Sequence, residues 1–256
     1  MSHNDNLKKI LITNDDGIEG KGLRVLADSL SKVAQVFILA PDSDRSAVSS
    51  KITMGRNYSF QKVKKNVFTC SGTPADCVIA ALSSNMFDVK FDAVFSGINA
   101  GPNMGTDVIY SGTCAAARQG VLMGIPGIAV SLESEFFDYS RTGFNFQPLA
   151  DFCAKNLDSL ISLCTGEVFV SLNATSAENY KEALFASGCI RNYGNYVVLN
   201  REEADKFTGS CMSKGISVTG NADSDYNIAR SGKVAVSLIY AEPVLKSPDV
   251  KMDFKF

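Results

Sequence analysis

Histidine is nearly missing from this chain: of 256 residues only His3 is one, and it sits in the polar opening MSHNDNLKK. That scarcity removes phosphohistidine chemistry, Ser-His-Asp triads and histidine-ligated zinc from consideration. Tryptophan is absent altogether. No apolar run approaches the roughly 18 residues that span a bilayer, so no membrane partner is expected. The polar start lacks the apolar region of a signal peptide, and a cytoplasmic location is the expectation. Excess positive charge is missing too. With 25 basic and 27 acidic residues the formal net charge is −2, which gives no footprint for a nucleic-acid polymer. The seven cysteines form no CxxC pair, and most lie in apolar segments, where they read as reduced core thiols. There is no Walker A sequence, and Cys114 and Arg118 are too close together to bracket the loop of a cysteine phosphatase. An enzyme built from this chain has to work with oxygen ligands and backbone amides.

The hydrophobic content of 45% is enough to bury a full core, as one large domain or two small ones. Short apolar runs at 8–13, 35–40, 91–96, 127–132 and 167–172 read as buried parallel strands. Helical patterns separate them at 20–33, 74–85, 113–123 and 147–163, the last with a stripe of Leu149, Phe152, Cys153, Leu157, Leu160 and Ile161. Residues 57–70 read as an inserted β-hairpin turning at Lys64-Lys65-Asn66. Such alternation predicts a doubly wound α/β sheet. After about residue 175 the patterning loosens, and that tail is a candidate arm for packing on a partner subunit.

Chemistry concentrates where the first apolar run, ending Thr13-Asn14, meets Asp15 and Asp16, followed by Gly17 and the helical stripe Leu23, Leu26, Ala27, Leu30. Two adjacent carboxylates at the end of a buried strand repel each other unless a cation neutralises them. Asp-Asp-Gly also serves as a plain turn. In open α/β sheets ligands bind beyond the carboxyl ends of strands. The next such loop, APDSDRS, offers Ser46; its Asp42 and Asp44 read as solvated loop charges. The third, SGINAGPNMGTDVIYSGT, offers Asn99. Asp15, Asp16, Ser46 and Asn99 together make a hard-oxygen set suited to Mg²⁺ or Mn²⁺. Ser111-Gly112-Thr113 opens the next helix, either as a cap or as a phosphate-binding amide cluster. In Ser71-Gly72-Thr73-Pro74-Ala75-Asp76 the capping reading is favoured, because Pro74 removes one amide donor. Tyr110, Phe136, Phe137 and Tyr139 are aromatic candidates for a base pocket, equally explained by core packing.

With these stretches assembled, the chain resembles the SurE (survival protein E) nucleotidases. NDDG, APDSDRS, SGTPADCV, SGINAGPNMGTDVIYSGTCAAARQG, GIPGIAVSL and, more weakly, ADSDYNIARSGKVAVSL occur in the family's order from residue 10 to about 240. The resemblance implies a metal-dependent phosphatase of nucleoside 5′- and 3′-monophosphates, sometimes of short polyphosphate. It also implies a Rossmann-like three-layer αβα fold with a mostly parallel sheet, and homodimers or homotetramers with exchanged C-terminal segments. On this view residues 1–256 form one domain, with a core at 1–175 and a looser part at 176–256 that serves as the oligomerisation arm. The family's metal ligands fall on Asp15, Asp16, Ser46 and Asn99, with one divalent cation per subunit, and its phosphate loop on Ser111, Gly112 and Thr113. One departure stands out. After Arg45-Ser46 the family usually has a glycine and, a few residues on, a histidine, where this chain has Ala47 and Ser50-Lys51.

The expected mechanism is direct hydrolysis, with Asp15 or Asp16 as proton acceptor and no covalent phosphoenzyme. A signalling receiver domain also places paired aspartates after its first strand. It needs a phospho-accepting Asp at the end of the third, and here FDAVFS runs into Ser96-Gly97-Ile98-Asn99. A binding protein with a degenerate metal site is the other alternative, suggested by Ser50 and Lys51.

Overall fold

The computed structural model describes residues 7–135, 142–203 and 205–244. His3 and the aromatic candidates Phe136, Phe137 and Tyr139 lie outside the described residues.

Among the described residues thirteen strands and six α-helices follow in chain order: β1 (Lys9–Thr13), α1 (Lys21–Leu30), β2 (Gln35–Pro41), β3 (Phe60–Lys64), β4 (Val67–Cys70), α2 (Pro74–Ser83), β5 (Ala93–Ala100), α3 (Gly112–Leu122), β6 (Gly127–Glu133), α4 (Gln147–Lys155), α5 (Leu157–Leu163), β7 (Val168–Thr175), β8 (Ala183–Phe185), β9 (Ile190–Asn192), β10 (Asn195–Glu203), β11 (Lys206–Ser213), β12 (Ser217–Thr219), α6 (Asp225–Arg230) and β13 (Val234–Tyr240). A 3₁₀ turn, Gly105–Ile109, precedes α3.

Nine strands form one sheet in the order β3-β4-β2-β1-β5-β6-β7-β13-β8. The pairs from β4 through β7 are parallel, and β3 and β13 run antiparallel to β4 and β7. Helices cover both faces. The stripe Leu23, Leu26, Ala27 and Leu30 of α1 packs with Leu149 and Cys153 of α4 and Leu157 and Leu160 of α5 against one side. Cys77, Val78 and Ala81 of α2 and Cys114, Ala117 and Val121 of α3 cover the other. Each fully buried leucine contributes about 1.5–3 kcal/mol of apolar burial, so these stripes are what fasten the layers. All seven cysteines are free thiols, five of them buried and Cys211 exposed. Among the described residues no helix is long and apolar enough to cross a membrane.

The structure departs from the sequence pattern in one helix. The stripe at 147–163 does not run as one helix but breaks at Asn156, whose side-chain amide donates to the Phe152 carbonyl at 2.9 Å. A side chain that competes for its own helix's carbonyls favours such a break. The hairpin expected at 57–70 is present as the antiparallel pair β3 and β4, and because β4 also pairs in parallel with β2 it forms the edge of the main sheet.

The loose tail divides in two. β8, α6 and β13 join the main sheet, whereas β10 and β11 pair only with each other, with every described residue in both strands exposed. Their bared apolar side chains include Val197, Leu199 and Phe207.

Candidate functional site

The chain leaves β1 toward β2 on one side and later returns as β5 on the other, so a topological switch point lies between β1 and β5. Crevices open at such points, beyond the carboxyl ends of the two strands. Asp15 and Asp16 follow β1, and Asn99 lies near the end of β5. Buried Asn14 shapes the first turn by donating its amide to the Gly17 carbonyl at 2.9 Å.

Asp15 is almost fully buried against the start of α3. The Thr113 hydroxyl donates to Asp15 Oδ1 at 2.5 Å and the Thr113 backbone N–H to Oδ2 at 3.1 Å. Burial pushes the Asp15 carboxyl up to about 6, the Thr113 bonds oppose the shift, and the neighbouring Asp16 charge adds to it. Gly112 permits this approach: a Cβ there would lie 2.9 Å from the Asp15 Cβ. Ser111 caps the helix by accepting from the Cys114 N–H at 3.0 Å. Of the three residues expected to form a phosphate loop, Ser111 lines the cavity, while Gly112 and Thr113 stand behind Asp15.

Asn99 reaches the crevice through an irregularity. The register of β5 against β6 shifts between Ser96 and Asn99. Gly97 sits there at φ +134, so close to β6 that a Cβ would meet the Val130 carbonyl oxygen at 2.2 Å. Such a bulge re-aims the side chains that follow. The Asn99 amide group donates to the Gly101 carbonyl at 2.9 Å, which leaves Oδ1 as its acceptor. Asp16 Oδ2 accepts the Ala100 N–H at 3.2 Å, tying the two strand ends together.

Ser46 comes from the loop after β2. Its hydroxyl donates to Asp44 Oδ1 at 2.5 Å and its N–H to the same oxygen at 2.8 Å. Asp42 pairs with Arg45 at 2.9 Å. Both acidic side chains, expected as solvated charges, thus order the loop. The Arg45 N–H donates to the Asp15 carbonyl at 2.7 Å. Farther along, Ser49 N–H donates to the Tyr110 carbonyl at 3.0 Å, and Thr53 N–H and hydroxyl donate to Asp76 at 2.8 and 2.7 Å. Asp76 also closes a capping box with Thr73, with Pro74 in the first turn, so the capping role expected of Ser71–Asp76 is what α2 displays.

Asp15, Asp16, Ser46, Asn99 and Ser111 line one cavity of about 390 Å³. Among the described residues no three His, Cys, Asp or Glu side chains cluster as a metal site. The set fits a hard cation in another way: two carboxylates carry the charge, and the Ser46 hydroxyl and Asn99 amide, which donate to Asp44 and Gly101, add neutral oxygens.

Of the far wall, only Tyr110 is a residue the sequence offers for a base pocket. That wall includes Tyr110, Asp107, Tyr193 and Asn195. Asp107 Oδ1 accepts the Tyr193 hydroxyl at 2.5 Å and Oδ2 lies 3.0 Å from Arg191 Nε. Burial raises the Asp107 carboxyl, against the Tyr193 hydroxyl and the Arg191 charge. The loop between the two ends is fixed by Asn103 and Asn173. Asn103 N–H donates to Asn173 Oδ1 at 2.9 Å, and Asn173 Nδ2 donates to the Asn103 carbonyl at 3.0 Å. Of these, Tyr193 and Asn195 lie in a weakly patterned segment, where nothing in the spacing singles them out.

Comparison with known proteins gives concordant results. The family model described as Survival protein SurE matches residues 10–195. Over 183 residues the chain is 45% identical to the 5′-nucleotidase SurE of Treponema pallidum (strain Nichols), covering 70% of this chain and 96% of that one. It is 32% identical over 238 residues to the 5′-nucleotidase SurE of Geotalea uraniireducens (strain Rf4), covering 91% and 93%. The crystal structure of the SurE protein from Aquifex aeolicus superposes with a TM-score of 0.78 at 27% identity, covering 92% of this chain and 94% of that one.

Proposed function

The chain belongs to the survival protein SurE family, and on that footing we propose that it is a divalent-cation-dependent phosphatase of nucleoside 5′-monophosphates. The reading extends to 3′-monophosphates and short polyphosphate as further substrates. The observation that carries it is the convergence of Asp15, Asp16, Ser46, Asn99 and Ser111, from four separate stretches of chain, on one cavity.

Asp15, Asp16, Ser46 and Asn99 would hold one cation per subunit, of the Mg²⁺ or Mn²⁺ class. When bound, such a cation supplies charge neutralisation at a phosphoryl oxygen and a lowered pKa for water. The protein's own groups do the rest. Ser111 Oγ accepts from Cys114 and so keeps its hydroxyl hydrogen for a phosphoryl oxygen. The α3 start adds its positive dipole end on the same side. Thr113 holds Asp15 in one orientation through two bonds. The proton released by the attacking water goes to a carboxylate oxygen of the Asp15–Asp16 pair. No residue need form a covalent intermediate.

The exposed β10–β11 hairpin supports an arm that packs on a second copy in a homodimer or homotetramer. Such bare apolar strands are favourable only when covered.

Phosphate release tests the enzymatic reading. AMP, GMP, 3′-AMP and tripolyphosphate are incubated with purified protein in EDTA, then with excess Mn²⁺ or Mg²⁺. The 5′-monophosphates are expected to release phosphate only with the cation present. Cation binding without release from any substrate would instead favour a binding protein.

A further inference from the structure

The cavity is larger than its chemistry requires. A phosphate and a cation occupy only the end bounded by Asp15 and its neighbours, yet the volume of about 390 Å³ falls within the range of roughly 300–1,000 Å³ typical of sites for whole small molecules. What bounds the other end is aromatic. Tyr110 and Tyr193 both line it, and both hang on a single residue. The Asp107 side chain accepts the Tyr193 hydroxyl at 2.5 Å, and the Asp107 carbonyl accepts the Tyr110 N–H at 2.9 Å.

The two rings differ in how firmly they are held. Tyr110 is 56% exposed. Tyr193 is half-buried, its hydroxyl is tethered, and the guanidinium of Arg191 lies 5.9 Å from its ring centroid. Arg191 is itself buried and paired with Asp107, so it backs the protein side of that ring. A ring already fixed by an ion pair loses little freedom when a flat ligand settles on it.

From this juxtaposition we infer that Tyr193 is the specificity-determining residue of the nucleotide site, its ring stacking on the substrate's base while Asp107 and Arg191 hold it in place. The inference rests on the nucleotidase reading above and adds the part of the substrate that this reading leaves unassigned. Stacking uses the π-face that every base has, so it selects nucleotides over sugar phosphates without choosing strongly among bases. AMP, GMP and CMP should therefore differ from one another by less than each differs from ribose 5-phosphate.

The test compares AMP with ribose 5-phosphate, which lacks only the base, under excess Mn²⁺. The wild-type protein is expected to prefer AMP in kcat/KM by tenfold or more, on the order of one stacked base. Tyr193→Ala should collapse that preference, mainly through the KM for AMP. Tyr193→Phe, which keeps the ring and loses only the tether, should retain most of it. A second readout needs no turnover: saturation-transfer NMR of adenosine on cation-free protein should show contact at the base protons in the wild type and lose it in Tyr193→Ala. An undiminished preference in Tyr193→Ala, or a wild type that treats the two substrates alike, overturns the inference and leaves the phosphatase reading standing. Failure of the wild type to cleave either substrate overturns the phosphatase reading itself, and the base subsite with it.

Discussion

Thr113 grips both oxygens of Asp15, one through its hydroxyl at 2.5 Å and one through its backbone N–H at 3.1 Å. Thr113 thereby acts on the proposed cation site without itself lining the cavity. Partners of a ligand, held at this remove, commonly change affinity ten- to a hundredfold when removed. Thr113→Val should weaken Mn²⁺ binding by about that factor, and Thr113→Ser should restore most of it. Calorimetric titration of the cation decides the matter, and an unchanged dissociation constant in Thr113→Val would count against the positioning role.

Asp15→Asn should lower turnover by at least about a hundredfold, since it removes a charge from the cation site. Its effect on stability runs the other way. The folded-state pKa of Asp15 is raised from 3.8 to about 6, so the folded protein binds a proton more tightly than the unfolded chain. Its contribution is intact below about pH 4 and is lost as pH rises through 6, a handicap of ~3 kcal/mol at neutral pH. In cation-free protein, the melting temperature of Asp15→Asn relative to wild type should therefore climb between pH 4 and 7. A difference that stays flat across that window would refute the buried-charge account.

Asp76 offers the opposite sign. Its carboxyl is held below the usual carboxylate range: burial, the largest influence, raises it, but the N–H and hydroxyl donors of Thr53 and Thr73 together outweigh that effect. Its stabilisation is present above the unfolded carboxylate range and fades as pH falls through the lowered folded value. Asp76→Ala should destabilise by about 1–3 kcal/mol at neutral pH, the scale of a lost cap with buried donors left unpaired. Urea unfolding at pH 7 and pH 3 should show this deficit shrinking at the lower pH.

The β10–β11 hairpin gives a prediction about assembly. Val197→Asp with Leu199→Asp should reduce the native mass by light scattering to that of a single chain, while the far-ultraviolet circular dichroism changes little. A native mass equal to that of wild type would remove the arm from the subunit interface.

The sequence makes the strand ends legible and, Tyr110 apart, the far wall not. Asp15 and Asp16 announce themselves because two charges follow an apolar run, and β1 indeed ends at Thr13, with only Asn14 between. Asn99 is identifiable by its loop, but its route to the crevice depends on the bulge at Gly97, which no hydrophobic period encodes. Asp44 looked like an ordinary surface charge, because its bond to Ser46 spans two residues and leaves no pattern. The 147–163 stripe reads as a single helix because its apolar face continues through Asn156, and only the side-chain bond to Phe152 stops it. Tyr193 is hidden for a different reason. Its partner Asp107 is 86 residues away in the chain, and long-range pairs of polar groups leave no periodic trace.

The segment between Arg45 and Thr53 is moored at each end, to the Asp15 carbonyl and to the Asp76 side chain. Its intermediate ties include the Ser49 N–H and the Lys51 carbonyl, groups that every amino acid other than proline brings with it. Ala47, Ser50 and Lys51 all fall within that suspended stretch. Of the three, Ala47 borders the cavity, whereas the Ser50 hydroxyl accepts from Arg118 at 3.1 Å, so a change at the first alters the wall and a change at the second gives up a tie.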